Sequence, residues 1–364
     1  MNVIILLPIQ VVSIFHINNL TISHLYNYKY IDHSPFICFS NKASISNIMI
    51  LSTKLKYFCS PFFSYMSSLH QMNIRQSSFM HFVHSSIYVN GQSYIDKTFN
   101  NNVDFSSSTN FTKCTFIINS EVENFYFSDK NRFIFDNCFF LNSSIEFPLI
   151  EFYDADLIIK SSIFSQIKLL ENEVLISNNK QDSSIKLENT NFTHNHFKGA
   201  IINVASSKIQ LNRCYFHQNV CESNLICFKI KQNLIQNILD DIIITENQLN
   251  CNDPSEIMIF YAHNDIISIS QLIINDEILQ SSSDNYYHIT ILKGSGITSQ
   301  LYLSNCCLSN PREKWVNGEF NDVEGNYEKD DCFEVNKVHY GIIGTEVEEL
   351  QIPKRLMRYF QDND

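Results

Sequence analysis

Acid–base chemistry needs carboxylates held close together, and two places in the chain supply them: Asp240-Asp241 and Asp154-Ala-Asp156. Paired carboxylates can divide general acid and general base roles, as in hydrolases that invert a glycosidic bond. Asp154 and Asp156, two residues apart, would share one face of a strand and could touch a Ca²⁺ ion, but they supply only two of the roughly six to eight oxygens it takes. The plain reading of both pairs is a solvated loop or strand edge. His194-Asn-His196 has the spacing to chelate a metal from one strand face, yet no third ligand stands beside it, which leaves the two as exposed turn histidines. His81 and His84 carry less weight. Eleven cysteines, an odd number without CxxC spacing, give neither a compact disulfide framework nor a zinc site. No catalytic, cofactor-binding or metal-ligating residue is therefore assigned, and no cofactor.

The elements that would position such groups come from an internal repeat. An octapeptide recurs with apolar residues as Φ-x-Φ-x-x-(Cys/Ser/Ile)-x-Phe, clearest in four consecutive copies: Phe133 to Phe140, Leu157 to Phe164, Ile185 to Phe192 and Ile209 to Phe216. The frame extends to Thr109-Phe111-Cys114-Phe116, Leu239-Ile242-Ile244, Ile267-Ile269-Leu272-Ile274 and Leu301-Leu303-Cys306-Leu308. Toward the N-terminus it reaches Met72-Ile74-Ser77-Phe79, Ala43-Ile45-Ile48-Ile50 and Phe15-Ile17-Leu20-Ile22. The last positions recur every 24 to 37 residues. Within a copy, alternation of period two slips by one residue and resumes, the pattern of two short strands meeting at a corner. A helix would need a period of 3.6, which is absent. One copy cannot bury its own apolar face, so copies must stack, at about 4.8 Å per step.

These requirements predict an all-β chain: a right-handed parallel β-helix of about eleven coils over residues 1–310, then an acidic tail or cap over 311–364. Asn119, Asn195, Asn219 and Asn247, three residues after their anchors, are expected to turn corners in left-handed backbone geometry and to hydrogen-bond from coil to coil. Cys114 and Cys138 hold one repeat position in successive copies and are expected to stack as buried free thiols. Long inter-copy segments, largest around Ile87 to Asn110 and Ser281 to Thr298, would bulge as loops, and a short helix could form around Glu346 to Phe360.

Composition fits. The chain is 44% hydrophobic and 18% charged, with 29 Phe and 17 Tyr against one Trp, which suits stacked strands. With only 8 Gly and 7 Pro, Asn and Ser must make most turns. A net charge of -12 argues against nucleic acid or anionic lipid as partners. The run Met1 to Phe15 is apolar enough for a signal segment but has no basic start and no A-x-A-like cleavage site. No later run approaches the roughly 18 to 20 apolar residues of a bilayer span, so no membrane-spanning helix is expected.

The octapeptides resemble those of right-handed parallel β-helix proteins of the pectate-lyase-like superfamily. Phe116-Ile-Ile-Asn119, Phe192-Thr-His-Asn195 and Phe216-His-Gln-Asn219 are similar to the Phe-x-x-Asn motif of polymorphic outer-membrane-protein repeats, and Gly199-Ala-Ile201 partly matches their Gly-Gly-Ala-Ile motif. Asn/Ile/Phe-rich members of this kind form families of presumed surface proteins in AT-rich protists. The resemblance implies a non-enzymatic scaffold for surface display or binding of an as yet unidentified protein or glycan. Its alternatives are a polysaccharide lyase or hydrolase of the same fold, and a truncated inactive paralogue. The hydrolase motifs Asn-Thr-Asp, Gly-His-Gly and Arg-Ile-Lys do not accompany either Asp pair.

Overall fold

In the computed structural model the chain is nearly all β, its parallel sheets forming a β-solenoid. The structure describes the strands and corners between Ile5 and Glu328; residues 1–4 and 329–364, and most segments joining strands, the longest being 26–36 and 90–107, lie outside the described residues. Of the loop expected over Ser281 to Thr298, Tyr287–Lys293 is instead a strand paired with Glu256–Ala262, and of that expected over Ile87 to Asn110 the ends are strands; residues 90–107 and the helix expected near Glu346 lie outside the described residues.

One coil shows how sequence becomes shape. Arg132–Asp136 forms a first strand, Phe139–Leu141 a second, Ser144–Ile145 a third and Ile150–Phe152 a fourth, after which Asp156–Lys160 begins the next coil. The first strands pair in parallel, with Phe133 opposite Leu157, then Ile185, then Ile209. Burial alternates along them, as in Arg132–Asp136, where Phe133 and Phe135 point inward. The pairing continues past Asn310 through Val316–Asn317, Asn321–Asp322 and Tyr327–Glu328, which join the solenoid. The rest of the acidic segment lies beyond the described residues.

The slip inside each octapeptide is a single residue in left-handed geometry. Among the described residues, the sixteen non-glycine residues with positive φ all fall at one of two repeat positions. Asn137, Ser161, Asn189, Arg213 and Asp241 exemplify the first, between the apolar pairs; Asn142, Gln166, His194, Gln218 and Glu246 occupy the second, two residues past the anchor. Their N–H groups still donate to the next coil, Asn137 to Lys160 O at 2.9 Å and Ser161 to Glu188 O at 2.9 Å, so the ladder is continuous around the bend.

Two expectations need correction here. Asn195, Asn219 and Asn247 do not take the left-handed conformation; His194, Gln218 and Glu246 before them do. The asparagines are instead fully inside, where Asn195 Nδ2 donates to Asn219 Oδ1 at 2.9 Å and Asn219 Nδ2 to Asn247 Oδ1 at 2.8 Å. An exposed residue can accept the strained backbone, whereas the inward one must satisfy every buried polar atom. The copy assigned to Ala43 to Ile50 is shifted by five residues: Ile50 lies opposite Ile17 and Ile74, and the partner of Ile22 and Phe79 is Leu55. The copy is Ile48-x-Ile50-x-x-Thr53-x-Leu55, with Ser52 at its corner at φ 51°.

The interior is one apolar column system. The anchors Phe116, Phe140, Phe164, Phe192 and Phe216 stack face to face with successive centroids 4.8, 4.4, 4.9 and 4.9 Å apart. Phe111 and Phe135 stack beside them at 4.7 Å and meet the anchors edge-on. Offset stacking at the strand spacing adds about 0.5–1.5 kcal/mol per aromatic pair beyond area burial.

Candidate functional site

Asp240 and Asp241 are turned to different neighbours. Left-handed geometry at Asp241, φ 54°, turns the chain between it and Asp240. Asp240 accepts a short hydrogen bond from Ser270 of the next coil, while Asp241 Oδ2 lies 3.7 Å from Arg213 Nε of the previous one. Asp156 accepts from Ser184 Oγ and lies 3.7 Å from Arg132 Nη2; Asp154 is outside the described residues. Asp156, Asp240 and Asp241 thus each meet a neighbouring coil, as Glu188 does with Lys160 at 3.9 Å, besides Lys186 of its own strand at 3.2 Å. Such exposed pairs contribute up to about 1 kcal/mol each.

The histidines diverge as well. His194 sits exposed at a corner and His196 exposed in the strand after it, with the inward Asn195 between them. The ring beside His194 is that of His217, one coil on, edge-on at 5.9 Å. Burial holds the His217 pKa below the ordinary histidine value, opposed by the negative Glu246. Among the described residues no group of three or more His, Cys, Asp or Glu side chains could hold a metal ion.

The inner corner position forms a polar seam. Thr53, Ser77, Cys114, Cys138, Ser162, Thr190 and Cys214 occupy it, all buried. Each turns its hydroxyl or thiol to a carbonyl two residues back, Ser77 Oγ to Arg75 O at 2.9 Å and Ser162 Oγ to Lys160 O at 2.7 Å among them. Cys114 and Cys138 are free thiols. Burial first, then its thiol neighbour Cys114, push Cys138 well above the ordinary cysteine value, and the hydrogen bond with Cys138 lowers Cys114 against the same burial. Burial first, with the negative Asp241 and Glu188 adding to it, pushes Cys214 up to about 12, and burial pushes Cys306 to about 11, which makes both inert at neutral pH. Cys307, beside them in sequence but facing outward, is disulfide-bonded.

What the sequence reading passed over is the outward position just before each anchor. Register places Phe139, Ile163, Asn191, Tyr215, Ile243, Ile273 and Cys307 in one line along the axis. Phe139, Ile163 and Tyr215 are half-buried, whereas Ile243, Ile273 and Cys307 are 4%, 6% and 8% exposed and pack together with Tyr215. Tyr215 in turn stacks on His217 at 5.3 Å, and Gln218 Nε2 donates to Glu246 Oε2 at 2.7 Å on the adjoining ridge. The line is thus part-exposed only at Phe139, Ile163 and Tyr215, with polar corner ridges on both sides, and is covered from Ile243 onward. The signal was present: the variable x before the anchor is apolar in most copies, but only stacking shows that these residues share a line.

A buried histidine was also missed. His288 lies opposite Ile257 and beside Trp315, both buried, in a column that continues through Leu225, Ile201 and Leu175. It is 0% exposed, neither ring nitrogen has a hydrogen-bond partner among the described residues, and burial lowers its pKa to about 4.

Fold and surface together define the class: a parallel β-solenoid with a lateral stripe. Comparison of the chain with protein-family models, with curated proteins and with solved structures gives no match. No helix among the described residues is long and apolar enough to cross a membrane, which leaves open a crossing by strands.

Proposed function

We propose that the chain is a non-enzymatic scaffold that presents its lateral face to a protein or glycan partner at a cell surface, and that it is a right-handed β-helix akin to polymorphic outer-membrane-protein-type repeat proteins of protists. The observation that carries this reading is the part-exposed stretch of the outward line, Phe139, Ile163 and Tyr215, with the Tyr215–His217 stack at its end. Aromatic rings with a polar tip offer a flat apolar platform and a hydrogen bond at once, and side chains repeated at about 4.8 Å suit an extended partner. The disulfide at Cys307 supports folding in an oxidising compartment, where such bonds persist.

The reading is tested by incubating the intact chain with arrayed polysaccharides and following both binding and bond cleavage. Saturable binding that falls at least tenfold in Tyr215→Ala, with unchanged melting and no new reducing ends or unsaturated products, is the expected result. Release of such products by the purified chain would make it a polysaccharide lyase or hydrolase and overturn the scaffold reading.

A further inference from the structure

Four Asn-x-Ser/Thr sequons occur: Asn19-Leu-Thr21, Asn110-Phe-Thr112, Asn142-Ser-Ser144 and Asn191-Phe-Thr193. The fold sorts them into two kinds. Asn142 is exposed at the second corner, φ 44°, and Asn19 exposed at the first, φ 56°. Their backbone N–H groups donate to Ser165 O and Leu51 O, both at 3.1 Å, which fixes the corner and points the amide away from the coil. The other two lie within strands. Asn110 is half-buried between its Cα partners Asn73 and Ile134, and Asn191 is 9% exposed between Ile163 and Tyr215. At a strand spacing of about 4.8 Å a sugar ring on either would have to displace both neighbours.

We propose that Asn142 and Asn19 are N-glycosylation sites of the folded protein and that Asn110 and Asn191 remain unmodified. The amide Nδ2 attacks the anomeric carbon of a lipid-pyrophosphate-linked oligosaccharide; the C–N bond forms, the C–O bond to pyrophosphate breaks, and the amide gives up one proton as the lipid pyrophosphate leaves. Glycans on these two asparagines project from the corner ridges that border the lateral stripe, so the stripe from Phe139 to Tyr215 stays open. The assignment rests on the surface reading, because only a chain that enters a secretory lumen meets the donor.

The test forces entry, so that it does not depend on the chain's own export signal. A cleavable host signal is placed ahead of the full chain in a eukaryotic secretory host. Protease-resistant molecules from medium and lumen are deglycosylated in heavy-oxygen water, and the asparagines converted to labelled aspartate are read by mass spectrometry. Label at Asn142 and Asn19 alone is expected, with Asn142→Gln and Asn19→Gln each removing one glycan. Label at Asn110 or Asn191, or folded protein bearing none, overturns the assignment. The chain with its native N-terminus, expressed in parallel, reads the other question: retention of that form while the forced form is glycosylated sinks the surface reading and leaves the site assignment standing.

Discussion

Left-handed backbone costs a non-glycine residue about 1–2 kcal/mol, yet this solenoid places Asn, Ser, Gln, Lys, Arg, His, Asp and Glu there in turn and no glycine. No β-branched residue is among them, which is the steric rule that remains when glycine is scarce. What offsets the strain is the ladder bond to the next coil that corner N–H groups such as those of Lys113, Asn137, Gln166 and His194 make. Strain of a different kind sits at His288, an imidazole with no hydrogen-bond partner among the described residues and apolar neighbours on its column. Its folded pKa of about 4 lies below the 6.5 of an exposed histidine, so the unfolded chain binds the proton first as pH falls. Stability from the neutral ring is therefore intact above pH 6.5, erodes below it, and is lost by about pH 4, a change on the order of 3 kcal/mol. Carboxylates titrate in the same window, so the measurement is a difference: urea unfolding at several pH values for the wild type and His288→Leu. The variant should be more stable throughout, with the gap widening from pH 7 to pH 4; a constant gap would show that the ring is charged or partnered. Nothing in the sequence marked His288, because a histidine in an alternating strand reads as outward unless the corner before it turns two successive residues inward.

At the scale of the strand, the octapeptide was legible because its inward positions repeat identity as well as polarity. Phe135, Phe140, Phe164, Phe192 and Phe216 each fall where the apolar pattern placed them. The frame failed once, in Ser44–Leu51, for a physical reason: Ile45, Ile48 and Ile50 satisfy two offsets of a period-two pattern, and only the polar corner Ser52 separates them. The outward stripe was harder to see, since its residue type varies from Phe139 to Cys307 and its continuity exists only between coils. Removing an anchor tests the register directly. Phe192→Ala opens a cavity between the rings of Phe164 and Phe216, each 4.9 Å away, and should cost about 3–5 kcal/mol. Asp240→Ala gives up only a partly buried hydrogen bond to Ser270 and should cost about 1 kcal/mol or less. Thermal melts of the two variants in the reverse order would mean that Phe192 does not face the interior.

Among the described residues the strands of each coil pair with the coils before and after, so stability is largely a sum of local terms. Strands at the centre, Ser184–Thr193 and Lys208–His217, hydrogen-bond on both sides and carry the stacked phenylalanines and the Asn195–Asn219–Asn247 chain. Toward the N-terminus the anchor line continues by register through Phe79, Leu55 and Ile22, and toward the C-terminus the ladder thins to the two-residue strands Asn321–Asp322 and Tyr327–Glu328. Amide exchange in the native protein should follow that geometry. Protection should peak in the strands between Ser184 and Thr245, each with a ladder on both sides, and be lower in the two-residue strands Asn321–Asp322 and Tyr327–Glu328. Equal protection from end to end would require a single cooperative unit, and with it contacts that reach beyond the adjacent coil.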